Sequence, residues 1–71
     1  MSDIVISNRI RALRNARAVT QEQLANTCGV TRQTIIALEA EKYSPSLELA
    51  FKLALALDCK LEDVFQCQEK K

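Results

Sequence analysis

The residues best equipped for chemistry stand together in the run Thr31-Arg32-Gln33-Thr34-Ile35-Ile36. An arginine can donate two hydrogen bonds to guanine O6 and N7, and a glutamine can pair in the same two-point way with adenine N6 and N7. Ile36 offers an apolar contact of the kind a thymine methyl takes. Thr31, Thr34 and the earlier Gln21 add neutral side-chain donors. No comparable set exists for catalysis. The chain has no His, so the commonest general base and the commonest metal ligand are both missing. Cys28, Cys59 and Cys67 are separated by 31 and 8 residues, whereas a zinc site takes four ligands at short spacing. Three thiols cannot all pair within one chain, and no signal-peptide layout precedes them, which points to a reducing cytosol. They read as small hydrophobes. We expect no enzyme activity, no metal and no cofactor.

Such a polar set must be held by a body large enough to fold. At 71 residues, with 48% hydrophobic and 27% charged residues, the chain has room for one domain spanning residues 1–71 and enough apolar side chains to exclude disorder. A domain this small buries only about 60% of the surface of its unfolded chain, so a shared interface would relieve its marginal stability. No apolar run is long enough for a membrane span. The formal net charge of +1 is low for a nucleic-acid binder, but it is unevenly spread. Arg9, Arg11, Arg14 and Arg17 face only Asp3 in residues 1–19, while the remaining segments are slightly acidic. A locally positive face is therefore compatible with a nearly neutral chain, and few phosphate ion pairs are expected.

Punctuation divides the chain into five short helices. Ser7 is placed to cap a helix over Asn8–Arg17, with Ile10, Leu13 and Ala16 along one side. Thr20-Gln-Glu-Gln23 spells a capping box that starts a second helix through Cys28. Gly29, the single glycine, ends it in the left-handed conformation. Thr31 caps a third helix to about Ala40. Ser44-Pro45-Ser46 reads as a turn, with Ser46 capping a fourth helix over Leu47–Leu57. There Leu47, Ala50, Leu53, Ala54 and Leu57 form a wide stripe with Phe51 and Leu55 beside it, the pattern of a central helix. A fifth helix covers about Leu61–Phe65. Ile4-Val5-Ile6 is β-branched and Phe65-Gln66-Cys67-Gln68 alternates apolar with polar. These ends either pair as an antiparallel ribbon or stay loose.

Residues 21–40 have the pattern of a helix-turn-helix. Leu24, Ala25, Cys28, Val30, Ile35 and Leu38 supply the apolar contact, Ala25 lets the backbones approach, and Gly29 makes the turn. Because Ile35 must face inward, Arg32, Gln33 and Ile36 turn outward at the start of the helix that enters the major groove in such units. Helix N-termini also hold phosphates without any net charge.

From about Ile6 onward the chain resembles the Cro/repressor-type (XRE) helix-turn-helix regulators. The resemblance is carried by Thr31-Arg32-Gln33-Thr34-Ile35, Lys42-Tyr43-Ser44-Pro45-Ser46-Leu47 and Leu61-Glu62-Asp63-Val64-Phe65. It is similar in extent to the small stand-alone repressors of that family, whose ends form a short sheet. This implies a mainly α, five-helix domain with a two-stranded antiparallel ribbon, Ile4–Ser7 opposite Phe65–Gln68. It implies a cytoplasmic homodimer that represses from a near-palindromic, double-stranded operator. Gln21 would then contact phosphate, Arg32 and Gln33 would read bases, and Thr31 and Thr34 would contact phosphate or methyl groups. Lys42, Tyr43 and Ser44 would follow the backbone. Arg14 and Glu39 would form a structural ion pair. Asp58, Lys60, Leu61 and Val64 fall near the family's dimer contact, although Leu61 and Val64 could equally complete the monomer core. The chain departs from the family at Ala40-Glu41, where Asn-Gly is common, at Asp58, where Gly or Asn is common, and at Lys60, which replaces a hydroxyl cap. The rival expectation is an antitoxin-like or protein-interaction module on the same fold.

Overall fold

Strand β1 (Asp3–Asn8) leads into helices α1 (Ile10–Ala16), α2 (Gln21–Cys28), α3 (Arg32–Glu39), α4 (Leu47–Ala56) and α5 (Leu61–Val64), and strand β2 (Phe65–Lys70) returns to β1. This order comes from a computed structural model that describes residues 3–70. Three helices start under hydroxyl caps. Thr20 accepts from Gln23 N–H at 3.0 Å while the Gln23 side chain accepts from Thr20 N–H at 2.9 Å, closing the capping box. Thr31 and Ser46 accept from Thr34 and Leu49 N–H. At α5 the Asp63 carboxylate accepts from Lys60 N–H at 3.2 Å, the reciprocal half of a capping box, while Lys60 has no hydroxyl to cap the first turn.

The first four helices end alike. Ala18, Gly29, Glu41 and Asp58 all adopt positive φ, between 54° and 71°. Each is followed by a residue whose N–H reaches back five positions: Val19 to Arg14, Val30 to Ala25, Lys42 to Ala37, Cys59 to Ala54. This is the Schellman closure, in which the second residue past the helix commonly packs on the helix it ends. Val19, Val30 and Cys59 do pack against the core. Lys42 is the exception and is exposed. The Ala40-Glu41 departure thus keeps the backbone path a glycine would give, with Glu41 itself in the left-handed conformation.

One core joins the helices. Ile10, Leu24, Cys28, Ile35, Leu38, Leu53, Ala54, Leu57 and Val64 are all at most 3% exposed. Of the two readings open for Val64, the structure takes the core: its side chain is fully buried within its own chain, so it is not itself a surface contact. Leu61 is half-buried.

Four sequence expectations are corrected. Ser7 does not cap α1, because β1 extends through Asn8 and it is the Asn8 Oδ1 that accepts from Ile10 N–H at 3.2 Å. Ala16 is exposed. Helix α4 is not buried all round: Leu47, Phe51 and Leu55, four positions apart, stand 69%, 50% and 79% exposed, while Leu49 takes a core place. Residues 42–46 form an irregular link rather than a closed turn.

The two ends pair as an antiparallel ribbon with Ile4 opposite Glu69, Ile6 opposite Cys67 and Asn8 opposite Phe65. It is longer at each strand than expected. Asn8 joins it to the helices. Its Nδ2 donates to Leu38 O at 2.7 Å, and its backbone N–H donates to Glu41 Oε2 at 3.3 Å.

Candidate nucleic-acid interface

The start of α3 is presented by the closure of α2 against it through Ala25, Gly29 and Val30. Core positions Ile35 and Leu38 fix its rotation. Arg32 and Gln33 are consequently exposed, and Ile36 is 36% exposed. Thr31 and Thr34 also lie on this first turn, their hydroxyls 3.1 Å apart, with the Thr31 oxygen engaged in the cap. Lys42, Tyr43 and Ser44 are exposed on the link that follows α3.

Gln21 turns out to be a bridge. Its Nε2 donates to Glu39 Oε1 at 3.1 Å, and its Oε1 accepts from Arg32 Nε at 3.3 Å. The Arg32 bond uses Nε and leaves both terminal nitrogens for a two-point contact. Its side chain is thereby held through Gln21 to α3's own far end.

Glu39 anchors this arrangement. Arg14 and Glu39 do meet: Arg14 donates through Nε to Glu39 Oε2 at 2.8 Å and through Nη2 to Oε1 at 3.5 Å, and its Nη1 donates to Val19 O at 3.0 Å. The two side chains are only 11% and 2% exposed. Burial alone would raise the Glu39 carboxyl. The hydrogen bonds from Arg14 and Gln21 and the charges of Arg14 and Arg11 outweigh it and hold the group below the usual carboxylate range. Arg11 approaches the same carboxylate, Nε to Oε1 at 3.6 Å. Sequence reasoning missed Arg11 and the Gln21 bridge. The signal for Arg11 was its place one turn before Arg14 on the same side of α1.

Away from this face, Asp58 and Lys60 are exposed in the link between α4 and α5, beside half-buried Leu61. The exposed stripe of Phe51 and Leu55 adjoins them: Phe51, Leu55, Lys60 and Leu61 line one shallow groove. Cys28 is buried, Cys59 half-buried and Cys67 exposed, all as free thiols. Burial pushes the Cys28 thiol up despite the charge of Lys52, which keeps it protonated and inert.

A capped pair of helices crossing through a left-handed glycine, with an exposed Arg-Gln pair opening the second, defines a helix-turn-helix DNA-binding protein. The helix-turn-helix family model matches residues 10–64, and the chain belongs to this family, in its XRE-type branch. A protein of Methanocaldococcus jannaschii named as an HTH-type transcriptional regulator is 50% identical over 60 residues, covering 84% of this chain and 91% of that one. The transcriptional repressor RstR of the cryptic phage CTXphi, from Vibrio cholerae, is 44% identical over 50 residues, 70% of this chain and 45% of the repressor. Among solved structures, the restriction-modification controller protein C.AhdI from Aeromonas hydrophila superposes with a TM-score of 0.72 at 35% identity, covering 76% of this chain and 82% of that one. The chain is a transcriptional regulator with a helix-turn-helix DNA-binding domain.

Proposed function

We propose that the protein is a sequence-specific repressor that binds a palindromic operator as a homodimer, with α3 of each copy in the major groove. The observation that carries this reading is the exposed Arg32-Gln33 pair on the first turn of α3, with Arg32 steadied by Gln21. Arg32 reads guanine and Gln33 reads adenine, each by two hydrogen bonds, and Ile36 packs on a thymine methyl. Gln21, Thr31, Thr34, Lys42, Tyr43 and Ser44 flank these readers and hold the DNA backbone. Repression follows from position: a bound dimer occludes the promoter.

The dimer forms through the far end of the molecule. Phe51 and Leu55 supply an apolar centre with Leu61. Asp58 and Lys60 sit beside that centre with opposite charges. A two-fold axis brings each Lys60 towards the Asp58 of the second copy, as a self-complementary surface requires. Such a dimer spaces its recognition helices about 34 Å apart, one turn of DNA.

Selection of bound sequences from random duplexes tests the proposal. The expected product is a single symmetric site with half-sites one helical turn apart. Enrichment of an asymmetric site, or of none, would contradict it.

A further inference from the structure

We propose that Arg11 is a DNA-backbone contact, extending the interface from the helix-turn-helix onto the first helix; the inference rests on the reading of α3 as the recognition helix. Arg11 Nε and Gln21 Nε2 converge on one oxygen, Glu39 Oε1, at 3.6 and 3.1 Å. That shared oxygen sets the α1 guanidinium beside the α2 side-chain amide. On its other side Gln21 accepts from Arg32 Nε at 3.3 Å. Arg11, Gln21 and Arg32 therefore form a continuous row from α1 across α2 to the first turn of α3.

The charges in this row do not cancel. Glu39 carries one negative charge, and Arg14 meets it at 2.8 Å with both side chains buried. Arg11 is surplus. Its side chain is 73% exposed, and at 3.6 Å it lies beyond hydrogen-bond distance. An exposed pair of that kind contributes little to folding. Its five N–H donors are uncommitted among the described residues, so what Glu39 supplies is orientation rather than satisfaction. A guanidinium drawn towards this face with its donors unspent, next to an amide with a second N–H to give, suits a phosphate, which takes two parallel hydrogen bonds from the planar fork.

The test titrates the full chain against a duplex bearing the selected site and against a scrambled duplex, over a fourfold range of salt. Arg11→Gln is expected to weaken binding to both duplexes by the same factor. It should also lower the slope of log affinity against log salt by about 0.9 for each subunit, so that the deficit per subunit shrinks roughly threefold across the range. Arg11→Lys keeps the slope. Lys52→Gln, an equal charge change on α4, leaves it nearly unaltered. An Arg11→Gln slope equal to that of the wild type overturns the inference, as does an equal fall in Lys52→Gln. A fall in the thermal midpoint of Arg11→Gln as large as that of Arg14→Met would make Arg11 part of the structural ion pair and would also overturn it. If the wild type binds neither duplex, the functional reading itself fails, and that is seen without any variant.

Discussion

Replacing Arg14 by methionine should nearly unfold the protein, while replacing its partner at the same time should restore it. In the single variant the Glu39 carboxylate, 2% exposed, keeps only the Gln21 amide and the distant Arg11. Removing one partner of a buried pair costs about 3–5 kcal/mol because the other charge is stranded. A chain of 71 residues has a total stability of roughly 4–11 kcal/mol at about 0.05–0.15 kcal/mol per residue. The loss is thus a large part of the whole. In Arg14→Met/Glu39→Leu no charge is stranded, and an apolar pair of similar volume is close to neutral. What stays lost are the bonds from Arg14 Nη1 to Val19 O and from Gln21 Nε2 to Glu39 Oε1, about 1 kcal/mol each.

Urea unfolding followed by circular dichroism, at one fixed protein concentration, measures all three. The pH dependence supplies an independent sign. In the wild type the Glu39 carboxyl titrates below its unfolded value, so its contribution is present above the ordinary carboxylate range and is lost as pH falls through the lower, folded pKa. In Arg14→Met the main lowering influence is gone, so the folded pKa of Glu39 rises from its wild-type position, and acidification costs that variant less stability than it costs the wild type. A single variant within about 1 kcal/mol of wild type, or a double variant no better than the single, would refute the account of Glu39 as a buried charge held by Arg14.

Other perturbations separate the remaining links. Gly29→Ala should cost about 1–2 kcal/mol in the same unfolding assay; a Cβ there meets nothing within 4 Å, so the cost is conformational and Gly29→Asn should recover part of it. Leu55→Glu should leave the helical spectrum intact and abolish the proposed dimer in sedimentation, since Leu55 is 79% exposed and contributes nothing to the monomer core.

Much of the fold was legible because its signals are local. Thr20, Thr31 and Ser46 each cap a helix with a hydroxyl, Gly29 is where the chain turns, and Ile35 fixes which way Arg32 and Gln33 face. These depend on neighbours a few residues away. What escaped depends on distant ones. Ser7 looks like a cap until β2 returns from the other end and draws β1 through Asn8. Leu47, Phe51 and Leu55 have the composition of a buried face, and periodicity cannot say whether the surface that covers it lies in the same chain. Glu41 and Asp58 hide helix ends because their left-handed backbone is set by the closure that follows rather than by residue type. The candidate site shows the same division. Its exposed readers were evident from the helical period, whereas the Gln21 bridge and the approach of Arg11 need α1, α2 and α3 to be assembled around Glu39.

The central claim is that Arg32 reads a base. The most direct measurement is to repeat the selection from random duplexes with Arg32→Ala, beside the wild type, and to titrate both proteins on the wild-type site. The expected result is a loss of about 1–3 kcal/mol in binding free energy and a site that relaxes at one base pair in each half, with the other positions kept. An unchanged selected site, with binding weakened equally on every sequence, would make Arg32 a phosphate contact and contradict the claim.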